Sequence, residues 1–87
     1  MEFEWDPAKA VSNLAKHGLD FSTATKVFDD PNILFSLDPQ PRGETRYQAI
    51  GSVSGVFLFV SYTMRGEVCR IISARRASRR ERQSYSL

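Results

Sequence analysis

The sequence holds a single cysteine, Cys69, and a single histidine, His17. One cysteine excludes an intrachain disulfide, and the pair falls far short of the four ligands of a structural zinc site, so no metal and no cofactor are expected. Long apolar runs are missing too. The longest, residues 56 to 60, is far below the roughly 20 residues that span a membrane. The first twenty residues carry Glu2, Glu4, Asp6 and Asp20 and lack the apolar segment of a secretory leader. A cytoplasmic protein without membrane attachment is therefore expected. There is no low-complexity tract and no internal repeat, which argues against a disordered or fibrous chain. A length of 87 residues fits one domain over residues 1 to 87. Such a domain buries only about 60% of the surface its unfolded form exposes.

Lysine is absent beyond position 26. Residues 1 to 41 hold three lysines against seven acids, a net −4, while residues 42 to 87 hold nine arginines against three acids, a net +6. The overall charge of +2 hides this polarity. Arginine presents a planar fork that matches phosphate or carboxylate oxygens two at a time, whereas solubility is served by either base. An all-arginine half thus points to recognition of phosphate or of an acidic partner. Six of the nine lie in RIISARRASRRER, residues 70 to 82.

Period and punctuation divide the chain. Glu2-Phe3-Glu4-Trp5 alternates as a short strand with two aromatics on one face. Asp6 as N-cap and Pro7 in the first turn start a helix over residues 7 to 17, and Lys16, His17 and Gly18 end it. Ala8, Val11, Leu14 and Ala15 recur at helical spacing. Asn13, Lys16 and His17, at i, i+3 and i+4 on another edge, are expected at the surface. A second helix follows Asp20, turns Phe21, Ala24, Val27 and Phe28 to one side, and stops at Asp30-Pro31. The period then becomes that of strands: residues 33 to 37, a polar loop with Asp38, Pro39, Pro41 and Gly43, then 46 to 52, 56 to 63 and 68 to 75. Short turns at Ser54-Gly55 and Arg65-Gly66 imply an antiparallel meander, with residues 56 to 60 as the central strand. A terminal helix from about Ala77 has Ser78 as N-cap and Glu81 at the capping-box position. The fold class is α+β: a small antiparallel sheet of four to five strands packed with two N-terminal helices and a short C-terminal helix. Trp5, Phe21 and Phe28 are assigned to its core.

Taken in order, several motifs closely resemble the BrnT toxin family from residue 3 to about 85. They are Phe3-Glu4-Trp5-Asp6; Asn13 followed by Lys16-His17-Gly18; Phe21 with Ala24 and Val27-Phe28; and Asp30-Pro31. The second half adds Gly43-Glu44-x-Arg46 leading to Ile50-Gly51; Tyr62-Thr63-x-Arg65-Gly66; and Arg70-Ile71-Ile72-Ser73-Ala74-Arg75 with Ala77 and Glu81-Arg82. Each tetrad alone is weak, and their order and spacing carry the resemblance. It implies a ribonuclease toxin of a type II toxin-antitoxin system with a RelE-like fold. It also implies a cognate BrnA-like antitoxin that binds and silences it, and a toxin homodimer within that complex.

Such a reaction asks little of a small domain. RNA carries its own nucleophile, the 2′-hydroxyl, which attacks the adjacent phosphate once a group accepts its proton and cations stabilise the oxyanion. Arg65, in a tight turn between strands, and Arg75, at the end of the last strand, are candidate phosphate contacts with surface charge as the plain alternative. Glu44 and Arg46 share a face by the period of two, either as a structural ion pair or as proton acceptor and clamp. His17, whose ordinary pKa is about 6.5, is a candidate proton shuttle or a residue that merely complements the helix dipole. Lys16 beside it is a possible phosphate contact. Tyr62 could stack on a base, although an aromatic in a strand is more often core.

The terminal run extends the candidate RNA surface to Arg70, Arg76, Arg79 and Arg80. In a helix, like charges four apart cost a few tenths of a kcal/mol per pair, which phosphate or an acidic antitoxin segment would offset. The expected activity is therefore endoribonuclease cleavage without metal. The alternative is a non-catalytic nucleic-acid- or protein-binding module using the same basic face.

Overall fold

The computed structural model describes residues 1–40 and 43–85. Pro41 of the polar loop, with Arg42, lies outside them. Along the chain run β1 (Glu2–Trp5), α1 (Pro7–His17), α2 (Phe21–Ala24) continuing into a 3-10 helix over Thr25–Asp29, β2 (Leu34–Leu37), β3 (Tyr47–Val53), β4 (Val56–Arg65), β5 (Val68–Arg76) and α3 (Arg79–Tyr85).

The helix ends are set by local chemistry. Asp6 accepts a hydrogen bond from the Ala8 N–H at 2.9 Å, and Pro7 occupies the first turn, where no donor is needed. Gly18 takes the left-handed conformation at φ 69° and donates its N–H to the Leu14 carbonyl, closing α1. Asp20 caps α2 through the Thr23 N–H, a bond that also lowers the Asp20 pKa. At α3 the Ser78 Oγ accepts from the Glu81 N–H and the Glu81 carboxylate accepts from the Ser78 N–H, a complete capping box.

The sheet order is β1-β5-β4-β3-β2. β2 to β5 form the antiparallel meander that the short turns predict, with β4 at the centre. β1 departs from the wholly antiparallel expectation: it adds parallel to β5, from Glu2 beside Val68 to Trp5 beside Ile71. That position brings Phe3 to 5.5 Å from Phe28 and Trp5 to 5.8 Å from Phe21, ring centroid to centroid, so its two aromatics join the core.

One face of the sheet is covered by helices. Ala49, Leu58, Val60, Tyr62, Cys69, Ile71 and Ala74 are buried there against Phe21, Ala24 and Val27. The 3-10 helix lies so close to β3 that a Cβ on Gly51 would stand 2.9 Å from the Val27 Cβ, which explains a glycine inside a strand. A β-bulge in β5 shapes the other face. Ser61 pairs with Ser73 but Tyr62 pairs with Ile71, leaving Ile72 as the extra residue. Arg70 and Arg75, five apart, would point to opposite faces of a regular strand. The bulge restores the phase and puts both on the open face.

Helix α1 is turned the opposite way from the expected one. Asn13 is buried at 6% exposure, while Val11 is 71% and Leu14 50% exposed. The reason is a hydrogen-bonding demand. β1 stops beside Ile71, so β5 runs on without a neighbour, and the Asn13 amide takes that place. Its Nδ2 donates to the Ala74 carbonyl at 2.8 Å and to the Leu19 carbonyl at 3.1 Å, and its Oδ1 accepts from the Ala74 N–H at 3.1 Å. Of the three residues expected at the surface, Lys16 is exposed and His17 half-buried.

Candidate active site

The open face carries the arginines. Continuing the β3–β4 register past Tyr47 and Tyr62 sets Arg46 opposite Thr63 and Glu44 opposite Arg65. The segment is held there by the Thr63 hydroxyl, which is buried and donates to the Thr45 carbonyl at 2.6 Å. No sequence expectation gives Thr63 this role. Its signal is a polar residue two places after Ser61, on a strand whose first five residues are all apolar.

The result is a triad of charge at one end of the sheet. Glu44 stands 4.0 Å from the Arg46 Nε and 3.8 Å from an Arg65 terminal nitrogen. Both are loose ion pairs rather than short hydrogen bonds. Arg46 is the more enclosed, its side chain 23% exposed against 54% for Arg65. Its Nε is buried without a hydrogen-bond partner, the only buried side-chain nitrogen or oxygen so placed among the described residues. A hollow of about 420 Å³ adjoins it, lined by Leu37, Asp38, Gln40, Gly43, Glu44, Thr45 and Arg46.

Arg70 and Arg75 share the face, but each already has an acid. Arg70 donates to Glu4 at 2.9 Å. Arg75 forms a two-pronged pair with Glu81, 2.8 Å on each side, and its guanidinium lies 4.3 Å from the centre of the Phe59 ring. The pair raises the Arg75 pKa and holds the Glu81 carboxyl below its ordinary value. It also docks α3, together with Tyr85, which packs edge-on at 5.0 Å against Phe57 and donates its hydroxyl to Asp30. Arg65 and Arg75 do not converge. Arg75 pairs with Phe59 and Arg65 ends the same strand six residues later, about 20 Å away along β4.

The remaining candidates lie elsewhere. Tyr62 belongs to the helix-covered core, stacked on Tyr47 at 5.4 Å and edge-on to Phe28 at 5.1 Å. Burial pushes its hydroxyl up to about 12. Lys16 and His17 end α1, which packs from the helix side, and His17 makes no hydrogen bond or ion pair with Glu44, Arg46 or Arg65. Arg76 closes β5, and Arg79 and Arg80 open α3, all three exposed. Burial pushes the Cys69 thiol up to about 11, far from a nucleophile's range. Among the described residues no group of three or more His, Cys, Asp or Glu could hold a metal ion, and no helix is long and apolar enough to cross a membrane.

Comparison with known proteins gives this face a context. Among curated proteins none matches the chain. Residues 5–81, which include Glu44, Arg46, Arg65, Arg70 and Arg75, match the family described as the ribonuclease toxin, BrnT, of type II toxin-antitoxin systems. With that match over most of its length, an α+β fold and an arginine-bearing open face, the chain belongs to the BrnT family of ribonuclease toxins, proteins with an RNA target and an antitoxin partner.

Proposed function

We propose that the Glu44–Arg46–Arg65 cluster cleaves RNA without a metal ion, through attack of the 2′-hydroxyl on the neighbouring phosphate. The observation that carries this reading is the Arg46 Nε, a buried donor with no partner beside a carboxylate it does not reach. Leaving such a donor unmade costs roughly 1–3 kcal/mol, a cost that a phosphate oxygen would remove. Glu44 takes the 2′-hydroxyl proton, Arg46 and Arg65 stabilise the charge that develops on the phosphate oxygens, and the 5′-oxygen leaves with a proton from water. The products are a 2′,3′-cyclic phosphate and a free 5′-hydroxyl. Arg70, Arg75, Arg79 and Arg80 extend the surface along which the strand lies, Arg76 at the exposed end of β5 adds charge from the opposite face beside Leu58, and His17 and Lys16 serve at the far side of the sheet, apart from this step. The fold is RelE-like, a reading its α+β arrangement supports, the protein works in the cytoplasm, and it assembles as a toxin homodimer silenced by a BrnA-like antitoxin.

The test is digestion of RNA in EDTA by the parent, Glu44→Gln and Arg46→Ala. Cyclic-phosphate ends should form undiminished by the chelator. Each variant should lose on the order of 10²- to 10³-fold in rate while keeping a cooperative melt. Cleavage that stops in EDTA, or that survives in Glu44→Gln, would remove the mechanism.

A further inference from the structure

The free edge of the sheet, β2, carries a second message. All four of its residues are exposed, and three of them, Leu34, Phe35 and Leu37, are large and apolar. Exposed edge strands usually carry charge, a proline or a bulge that discourages pairing, and Leu34-Phe35-Ser36-Leu37 has none of these. The orientation of its backbone follows from one hydrogen bond. Asp38 donates its N–H to the Arg46 carbonyl at 2.9 Å, so these two, next in register after Leu37 and Tyr47, form a bonded pair. Bonded and non-bonded pairs alternate along an antiparallel ladder. Ser36 with Gln48 and Leu34 with Ile50 are then bonded to β3, and Phe35 and Leu37 direct their N–H and C=O groups away from the sheet. The two residues with outward backbone groups are also the most exposed of the strand's three large apolar residues, at 54% and 63%.

One of them, Phe35, rims an apolar hollow. With Met1, Phe28 of the 3-10 helix, Tyr47, Tyr62 and Met64 it encloses about 370 Å³ on the helix side of the sheet. Outward backbone groups and an open apolar surface at the same place fit an extended chain laid along the edge.

We propose that β2 is the interface between two copies of this chain, joined antiparallel across a two-fold axis at Ser36 into one continuous ten-stranded sheet. This deepens the homodimer part of the proposed function and rests on it. The choice of a second copy comes from the strand's self-complementarity. With Ser36 facing its own copy, Phe35 stands opposite Leu37 of the partner and Leu37 opposite Phe35 of the partner. Those are the residues whose N–H and C=O groups point outward, so the two positions exchange four backbone hydrogen bonds. Asp38 falls opposite the partner's uncharged Leu34, and no like charges meet. Phe35 and Leu37 of both copies lie on the same face and close the two hollows against one another. A closed two-fold pairing of this kind uses up the edge, so the assembly stops at two.

Size-exclusion chromatography with light scattering, over a dilution series, tests this in the absence of antitoxin. The parent should run at twice the 9.9 kDa chain mass. Phe35→Lys and Leu37→Pro should each halve it. The proline removes an outward N–H and no bond to β3, a position where edge strands accept it. Phe35→Lys should keep a cooperative melt and its RNA cleavage in EDTA. Val11→Lys, on the exposed side of α1, should remain a dimer. A monomeric parent, a dimer that persists in both β2 variants, or one lost in Val11→Lys overturns the proposal; so does a parent that is monomeric alone and pairs β2 only with an antitoxin segment. A dimer with the expected pattern but no RNA cleavage would instead refute the ribonuclease mechanism and leave the interface standing.

Discussion

The two edges of this sheet meet the same problem in opposite ways. Where β1 ends, β5 continues alone, and the amide of Asn13 on α1 bonds both the N–H and the C=O of Ala74. At the other edge the outward groups of Phe35 and Leu37 meet no backbone partner among the described residues. The first solution fixes which way α1 faces. Turning Val11 and Leu14 inward would gain at most about 1.5–3 kcal/mol each, and less because both are already partly covered. It would also leave without partners the two buried backbone groups of Ala74, at roughly 1–3 kcal/mol apiece, and the half-buried Leu19 carbonyl at less. Hydrogen bonding outweighs the apolar stripe, so the stripe is left in solvent.

The largest expected effect tests that account directly. Asn13→Ala removes both donors and the acceptor, so it should cost about 3 kcal/mol or more. In a domain of this size that corresponds to a melting temperature roughly 12–24 °C lower, read by circular dichroism. Asn13→Asp should be nearly as severe, because it loses the two donations and places a charge beside two carbonyl oxygens. A drop below about 4 °C in Asn13→Ala would mean that the β5 edge does not need its amide and that the contrast between the edges is superficial.

What the sequence made legible, and what it hid, divides along the same line. The caps at Asp6, Gly18 and Ser78–Glu81 were readable because a cap is chemistry among residues three or four apart. The order β3 to β5 was readable because short turns leave neighbouring strands no other partner. The parallel seat of β1 was hidden, since its partner lies more than sixty residues away. The burial of Asn13 was hidden for the same reason, and a polar residue at helical spacing gave no hint that a strand end was waiting for it. The bulge left a trace, Cys69 and Ile71 in one phase and Ala74 in the next, which a regular strand cannot bury together. At the site, the period of two correctly set Glu44 beside Arg46, while the distance from Arg65 to Arg75 depended on a register that no local pattern encodes.

A smaller effect concerns the same end of β5, held on its other face by Glu81. The bonds from Arg75 lower the Glu81 pKa below its ordinary value of 4.5. A carboxylate with a depressed folded-state pKa contributes stability that is fully present above that value and is lost as the pH falls through the folded one. Parent and Glu81→Gln should therefore differ in melting temperature near neutrality, the parent being higher, and the gap should close as the pH drops below 4.5. Asp20 and Asp30, whose pKa values are also lowered, titrate in the parent and the variant alike and cancel in the difference. Because the pair is partly solvated, the gap should stay near 1 kcal/mol or less. One that persists unchanged in acid would mean that Glu81 acts through packing of α3 rather than through its charge.

The smallest expected change is the most discriminating, because the two orientations of α1 give it opposite sizes. Were Val11 and Leu14 the buried stripe that their spacing suggests, Leu14→Lys would drive an ammonium into the core and cost several kcal/mol. In the observed orientation Leu14 is half in solvent and Val11 more so. A lysine at either site can lay its methylenes along the helix with its charge in water. Lysine is a slightly better helix former than valine, so Val11→Lys should be neutral or stabilising by a few tenths of a kcal/mol. Leu14→Lys should lie within about 0.5 kcal/mol of the parent, or about 4 °C in melting temperature. Paired with the collapse expected for Asn13→Ala one position away, that indifference would show that a single amide, and not the apolar stripe, decides how α1 meets the sheet. A Leu14→Lys variant that melts as low as Asn13→Ala would reverse the helix and with it the assignment of Asn13 as the cap of β5.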